Sequence, residues 1–274
     1  MGDAGEDVSP NRHTGPVLAR LLDSVQDLEP APPGFGKCGR CPWRRPGSAP
    51  ICHRCTAGEL PDRATPRCPV CDQPLSPDLP CRNAWCLRAD RQFSAVWAIG
   101  SHAGPVRQAL HEFKIDGERR WAPVLARLVI GFLDDHLPWF DDYDLIVAAP
   151  GFVGPGARRD WEPMREVIRA AAAEDGGMWP WDTGDPPAIV RTAECGRISA
   201  RRGTERRAFA ESRLRPALAV PEPARVAGQR LLVVDDVLTE GSTLRELARA
   251  LRQAGAVEVA GLVLARRPWL SELR

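Results

Sequence analysis

The chain has 274 residues, of which 43% are hydrophobic and 27% are charged, as in a globular protein with one ordinary domain and a smaller module. A formal net charge of +1 excludes a global attraction to nucleic acid or membrane, so any such binding needs a local patch. No apolar run reaches the roughly 18 residues of a membrane-spanning helix, and the N-terminus lacks a secretory pattern. We therefore expect a cytoplasmic protein without a membrane span.

The first 90 residues do not have the composition of an ordinary folded domain. Residues 1–35 are rich in Pro and Gly at both ends, with apolar residues at helical spacing over 16–28. We expect a flexible segment there with one short helix. Residues 36–90 are dense in Cys, Pro and Arg and too poor in aliphatic residues to bury a core unaided. This second stretch needs another source of stability.

The remainder of the chain, residues 91–274, has the pattern of an α/β domain. Short aliphatic runs alternate with helical patterns through the segments 93–99, 106–113, 121–137, 144–149, 164–173, 188–190, 230–234, 243–254 and 257–265. Nearly continuous apolar strands separated by helices indicate a mostly parallel sheet with helices on both faces.

Eight of the nine cysteines lie between Cys38 and Cys86, and the ninth, Cys195, stands alone. In a reducing compartment such clustering favours metal over disulfides. Paired thiolates on tight turns supply the corners of a tetrahedral zinc site, and four thiolates leave no open position for substrate. We predict two structural zinc ions in a double zinc ribbon over 36–90; the alternative is one zinc site plus structural or free thiols. The predicted ligand sets are Cys38, Cys41, Cys52 and Cys55, then Cys68, Cys71, Cys81 and Cys86.

Residues 231–244 carry the motif with the most specific chemistry. Four apolar residues form a buried strand, and Asp235 and Asp236 follow near its carboxyl end, the ligand-binding edge of a parallel sheet. Gly241 permits a close approach of the backbone, and the helix that begins after it offers hydroxyl and N–H groups to a phosphate. Carboxylates suit sugar hydroxyls or magnesium. A diol site beside a phosphate site describes a 5-phosphoribosyl group.

This stretch resembles the phosphoribosyl-diphosphate (PRPP) motif of type I phosphoribosyltransferases, and the wider chain, over about residues 36–267, resembles the ComF (competence protein) family of that superfamily. The cysteine-rich module, the segment 104–121 and the Arg-rich segment 191–209 carry the wider resemblance. It implies a type I phosphoribosyltransferase fold, with PRPP bound together with Mg²⁺. Asp235 and Asp236 would hold the ribose and act in catalysis, and Pro150 and Gly151 would form the diphosphate loop. The 5′-phosphate loop would be Thr239, Glu240, Gly241, Ser242 and Thr243.

The chain departs from the family pattern at two places. Glu240 stands where the family usually has Thr, so a carboxylate replaces a hydroxyl donor beside the phosphate. After Pro150 the family usually has basic residues and then Arg-Gly-Phe-Asn-Gln, whereas this chain has Arg158-Arg159-Asp160-Trp161-Glu162. Both departures bear on turnover and leave the expected fold unchanged.

Two classes of function follow. The first is an enzyme that transfers a phosphoribosyl group from PRPP and releases pyrophosphate. The second is a binding module that has lost turnover and handles single-stranded DNA or a partner protein in DNA uptake or metabolism. The basic residues of 191–215 suit a lid over pyrophosphate or a nucleic-acid strip, and the basic, Trp-containing turn at 37–45 suits stacking on single-stranded bases, although charge runs are often solvated helix faces. Titration with PRPP and magnesium separates the two classes.

Overall fold

In the computed structural model, the described residues are 66–75, 80–196 and 203–267. The predicted N-terminal helix and the first four-cysteine set lie outside them. The described elements are β1 (Val96–Ser101), α1 (Gly104–Lys114), α2 (Ala122–Asp135), α3 (Leu137–Phe140), β2 (Leu145–Ala148), α4 (Pro163–Glu174), β3 (Val190–Arg191), α5 (Gly203–Phe209), β4 (Leu218–Ala219), β5 (Arg230–Leu238), α6 (Ser242–Gln253) and β6 (Glu258–Arg266). Short 3₁₀ and π turns cover 119–121, 210–217 and 223–225.

A four-stranded, wholly parallel sheet forms the centre of the molecule, in the order β1-β6-β5-β2. The four residues from Leu231 to Val234 on β5 are all buried, as is nearly every residue of β6. A strand covered on both faces has no solvent side, which explains why these segments are continuous apolar runs without alternation.

Helices cover both faces of the sheet, as predicted. On one face α2 and α4 bury a large cluster around Phe113, Leu125 and Ile168. On the other face α6 buries Leu244, Leu247 and Leu251 against the sheet. The longest described helix has 14 residues, and no helix in the described part of the chain is long and apolar enough to cross a membrane.

Two details differ from the sequence expectation. Strand β5 continues to Leu238 and stays paired with β6 over that length, so the two aspartates lie inside the strand instead of after it. The aliphatic run at 188–190 ends in a separate two-stranded antiparallel sheet, in which Val190 pairs with Ala219. This small sheet precedes β5 in the chain.

The described part of the cysteine-rich segment, residues 66–75 and 80–90, packs against the sheet; we call it the cysteine module. The N–H of Val96 donates to the carbonyl of Val70 at 2.9 Å, and the N–H of Ala98 donates to Asp72 Oδ2 at 2.8 Å. The module therefore protects the edge strand β1, whose backbone groups would otherwise be open to pairing. Trp85 is buried in the same core cluster as α6.

Candidate functional site

A cavity of about 540 Å³ opens at the carboxyl ends of the parallel strands. The paired register of β2 and β5 ends at Ala148 and Val234, and residues that directly follow both positions line the cavity. The carboxyl ends of parallel strands are where ligands bind in open α/β sheets. The polar and glycine lining residues are His102, Arg107, His111, Lys114, Gly151, Arg159, Arg191, Gly196, Asp235, Asp236, Thr239, Thr243 and Arg267.

The lining is strongly cationic. Among the described residues, five Arg or Lys side chains face two carboxylates in the cavity: Arg107, Lys114, Arg159, Arg191 and Arg267 against Asp235 and Asp236. Partial burial lowers the pKa of His102, and the charges of Arg107, Arg267 and Lys114 lower it further. A confined surplus of positive charge selects anionic ligands. The cavity thus has the charge that a phosphorylated ligand requires.

The two aspartates line this cavity, where backbone N–H groups and a lysine contact their carboxylates. The N–H of Asp236 donates to Asp235 Oδ1 at 2.8 Å, and the N–H of Val237 donates to Asp236 Oδ1 at 2.7 Å. Lys114, the last residue of α1, forms an ion pair with Asp236. Burial raises the pKa of Asp235, which the Lys114 charge opposes, and burial also lowers the pKa of Lys114. Such perturbed groups in a cleft are common at functional sites.

The segment Thr239–Thr243, which we call the glycine loop, joins β5 to α6. Gly241 is the residue before the first turn of α6 and has a φ of 104°, a left-handed conformation that glycine adopts without strain. A Cβ at this position would also contact the ring of Phe93 at 3.4 Å. Thr239 and Thr243 line the cavity, while Ser242 is buried beside it. The first N–H groups of a helix have no intrahelical acceptor, so this end of α6 offers donors to an anion.

Glu240 is directed to the side of the glycine loop and is absent from the cavity lining. Its carboxylate accepts a hydrogen bond of 2.6 Å from the Ser242 hydroxyl and lies 4.0 Å from the guanidinium of Arg206. The Ser242 hydroxyl, which the resemblance assigns to the 5′-phosphate of the ligand, is therefore already bonded to the Glu240 carboxylate. The nearby Arg206 charge offsets part of the cost of its burial.

Pro150 and Gly151 also line the cavity, at the end of β2. The Gly151 N–H donates to Glu162 Oε2 at 3.2 Å, and burial raises the pKa of Glu162. Arg159 in the same connection donates to the carbonyl of Lys114 at 2.7 Å, which joins this loop to the end of α1. The two loops named by the resemblance thus meet the aspartates in one cavity.

The second predicted cysteine set converges on one point. The Sγ atoms of Cys68, Cys71, Cys81 and Cys86 all lie within 4.8 Å of one another, and three of the pairs are 3.6 Å apart. These separations are too long for disulfides. Metal–sulfur bonds of about 2.3 Å at tetrahedral corners place the sulfurs about 3.8 Å apart. The set therefore fits a four-coordinate metal such as zinc.

A buried cation adjoins this cluster. Arg266 is 3% exposed, and its Nε donates to Gln73 Oε1 at 2.7 Å. A hydrogen bond with Cys86 and the charge of Arg266 lower the pKa of Cys71 to about 5, so one thiolate forms readily at neutral pH. The first set, Cys38, Cys41, Cys52 and Cys55, lies outside the described residues. Cys195, the isolated ninth cysteine, is buried in contact with Arg191.

Sequence reasoning missed several cavity and linking residues. Arg267 directly follows β6 and His102 directly follows β1. Their place after a parallel strand is the same signal that identified the aspartates. Arg107 lies on the first turn of α1, next to the segment that carried the family resemblance. Asn83 gives no local signal, because its side chain contacts a loop 157 positions away.

Comparisons with known proteins agree with this architecture. Residues 199–271, which include β5, the glycine loop and α6, match the family model described as the phosphoribosyl transferase domain. The predicted fold class, a phosphoribosyltransferase-type parallel sheet flanked by helices and preceded by a cysteine cluster, is confirmed.

Curated relatives extend the similarity beyond that domain. The chain is 27% identical over 198 residues to the DNA utilization protein YhgH of Salmonella typhimurium, covering 70% of this chain and 80% of the relative. It is also 27% identical over 222 residues to YhgH of Escherichia coli strain K12, covering 76% and 87%.

Two solved structures are similar at lower identity. One is described as the allosteric regulatory enzyme of purine biosynthesis, at 17% identity and a TM-score of 0.29. The other is the glutamine PRPP amidotransferase of B. subtilis complexed with ADP and GMP, at 18% and 0.29. Each match covers 53% of this chain and only 25% of the solved chain.

Proposed function

We propose that the protein is a ComF-type phosphoribosyltransferase-fold protein that binds PRPP, or a related phosphoribosyl ligand, with Mg²⁺ in the cationic cavity. One observation carries the proposal: Asp235, Asp236, the glycine loop and the loop at Pro150–Gly151 come together around one cavity with a surplus of positive charge. The match of the phosphoribosyl transferase model to residues 199–271 supports it.

In this proposal each part of the cavity has one role. The glycine loop and the start of α6 bind the 5′-phosphate through hydroxyl and N–H donors. Asp235 and Asp236 accept hydrogen bonds from the ribose hydroxyls, and Lys114 and Arg159 face the diphosphate. Bound magnesium would neutralise part of the diphosphate charge.

The reaction that this arrangement supports is phosphoribosyl transfer. The bond between the ribose C1 and the diphosphate oxygen breaks, pyrophosphate takes the electron pair, and an acceptor nucleophile bonds to C1. Positive charge develops on the sugar in the transition state, as in glycoside chemistry. In this scheme the two aspartates stabilise that charge, because carboxylates attract a developing positive charge. Lys114 leaves Asp236 for the diphosphate as the ligand enters.

The metal sites complete the proposal. We assign structural zinc to Cys68, Cys71, Cys81 and Cys86, whose sulfur separations fit it, and a second zinc to the four cysteines from Cys38 to Cys55. Thiolate sites of this kind persist in a reducing compartment, which supports a cytoplasmic location. The double ribbon over 36–90 and the transferase domain over 91–274 remain the proposed division of the chain.

Calorimetric titration tests the ligand. We expect saturable binding of PRPP with magnesium to the full-length protein, and loss of that binding in Asp235→Asn with Asp236→Asn. The melting temperature and circular dichroism of the double variant serve as the folding control. Wild-type protein that does not bind PRPP, or a folded double variant with unchanged affinity, would reject the assignment.

A second candidate function is the binding of single-stranded DNA without turnover. The similarity to proteins named for DNA utilization favours it, as do the carboxylates at Glu240 and Glu162, which occupy donors of both anion loops. We expect an oligonucleotide to bind at 50 mM salt and to dissociate by about 200 mM salt, because phosphate contacts release counterions. An absence of binding at low salt rejects this candidate.

A further inference from the structure

The cysteine module and the glycine loop are joined by one buried side chain. Asn83 lies between the metal-ligand candidates Cys81 and Cys86 and is 1% exposed. Its Nδ2 donates to the carbonyl oxygen of Glu240 at 2.9 Å. Its Oδ1 accepts from the N–H of Trp85 at 3.1 Å. Because a peptide N–H only donates and a carbonyl only accepts, these partners establish the orientation of the amide.

The backbone of Asn83 belongs to the cysteine cluster. Its N–H donates to Cys81 Sγ at 3.5 Å, and its carbonyl accepts from the N–H of Cys86 at 3.0 Å. A metal ion held by both cysteines therefore determines where the Asn83 backbone lies, and that backbone in turn places the side-chain amide. The contact with Glu240 spans 157 positions of sequence, so it joins two parts of the chain that are otherwise far apart.

The contact acts on the peptide group that begins the anion-binding end of α6. In a trans peptide the C=O of Glu240 and the N–H of Gly241 point in opposite directions. Holding the carbonyl towards the cysteine module thus directs the Gly241 N–H away from the module. Gly241 has little conformational restraint of its own, since glycine populates both signs of φ. The hydrogen bond from Asn83 therefore restrains a peptide whose orientation the glycine itself leaves open.

We infer that Asn83 is a positioning residue through which metal bound at Cys68, Cys71, Cys81 and Cys86 orders the glycine loop for its ligand. The inference rests on the proposed function in that the ligand is taken to be PRPP. In this scheme the metal is structural, and it also sets the affinity of the glycine loop for PRPP without contacting that loop. Coupling of this kind is reciprocal, so bound PRPP must also tighten the binding of the metal by the same factor.

Gln73 provides a matched control. It is also a buried amide of the cysteine module, at 5% exposure, and its Oε1 accepts from Arg266 of β6. This side chain thus joins the module to β6, whereas that of Asn83 joins the module to the glycine loop. Asn83→Ala and Gln73→Ala each remove a polar contact of the module, and only the contact of Asn83 reaches the loop.

The test measures amide hydrogen exchange at residues 239–243 in the ligand-free, full-length protein, and PRPP affinity by calorimetry. We expect Asn83→Ala to speed exchange in this loop and to weaken PRPP binding by about threefold to tenfold, the range for one lost hydrogen bond. Cys86→Ser should do the same in the wild type and add nothing in the Asn83→Ala background. Gln73→Ala should lower the melting temperature without either effect.

The two readouts separate the possible failures. Loop exchange in Asn83→Ala equal to that of the wild type overturns the inference, as does equal acceleration in Gln73→Ala. Faster loop exchange with no PRPP binding by the wild type supports the metal-ordered loop and rejects PRPP as its ligand. If Cys86→Ser does not fold, exchange in the chelated wild-type protein replaces it, with Asn83→Ala as the background that should no longer respond.

Discussion

Replacing Glu240 by Thr alters the one residue of the glycine loop that repels the proposed ligand. We expect Glu240→Thr to tighten PRPP binding at least tenfold. In the structure the Ser242 hydroxyl donates to the Glu240 carboxylate at 2.6 Å and so cannot serve a phosphate. The substitution frees that hydroxyl and supplies a second one at position 240.

The magnitude follows from two contributions. Each hydroxyl that gains a phosphate acceptor contributes about 1 kcal/mol. A carboxylate about 6 Å from one phosphate charge costs roughly 3 kcal/mol at an effective dielectric near 20. Arg206, 4.0 Å from Glu240, already offsets part of this repulsion, and the variant removes this ion pair. A net gain of about 1.4 kcal/mol, or tenfold, is therefore the lower bound that we expect.

Calorimetric titration with PRPP and magnesium is the assay, with two companion variants. Glu240→Gln removes the charge but keeps an oxygen acceptor for Ser242, so it isolates the repulsion from the hydroxyl effect. Glu166→Gln removes a carboxylate from the exposed side of α4, where it pairs with Arg169, and controls for net charge. Weaker binding in Glu240→Thr would refute the repulsion argument and show that Glu240 contacts the ligand, with magnesium as the bridging ion. Unchanged binding would show that the Glu240 carboxylate, which is directed to the side of the glycine loop, already lies too far from the phosphate to repel it.

Three further predictions concern the bound metal, a cation of the cavity and a buried ion pair of the core. Elemental analysis should find close to two zinc ions per chain; a value near one leaves zinc in a single four-cysteine set, and a value near zero rejects both. Lys114→Met should weaken PRPP binding at least tenfold in calorimetry, because it removes a cavity cation that pairs with Asp236; unchanged affinity would remove Lys114 from the site. Glu174→Ala should lower the free energy of unfolding in urea by about 3 kcal/mol, because it strips the bidentate partner from the fully buried Arg127, whereas Glu166→Ala at the surface should cost below about 0.5 kcal/mol.

The central fold could be predicted because its strands and helices carry strong local patterns. The run from Leu231 to Val234 has no polar residue, which only a strand buried on both faces tolerates, and α6 begins immediately after a glycine. The end of β5 could not be predicted, because Asp235 and Asp236 are poor strand formers. They stay in the strand because β6 pairs with that segment through Arg266. Tertiary pairing there overrides local propensity.

The candidate site was predictable where ligand chemistry falls on short motifs, and not where it depends on packing. The four cysteines from Cys68 to Cys86 meet as their spacing predicted. For Lys114 the family resemblance suggests a contact with the diphosphate, whereas its place at the end of a helix is typical of a solvated side chain; in the structure it pairs with Asp236. The link between Asn83 and the glycine loop depends on how the module sits on the sheet, which no local pattern encodes.

Glu162 provides a way to distinguish the two anion loops. Its carboxylate accepts from the N–H of Gly151, the loop that the family resemblance assigns to the diphosphate, and Glu240 holds the loop assigned to the 5′-phosphate. Glu162→Gln keeps an oxygen acceptor for Gly151 and removes only the charge. We expect this variant to tighten PRPP binding severalfold and to leave the binding of ribose 5-phosphate unchanged, because that ligand has no diphosphate. Glu240→Thr should instead tighten both ligands. Equal effects of Glu162→Gln on the two ligands would contradict the assignment of separate loops, since its charge would then act on the 5′-phosphate as well.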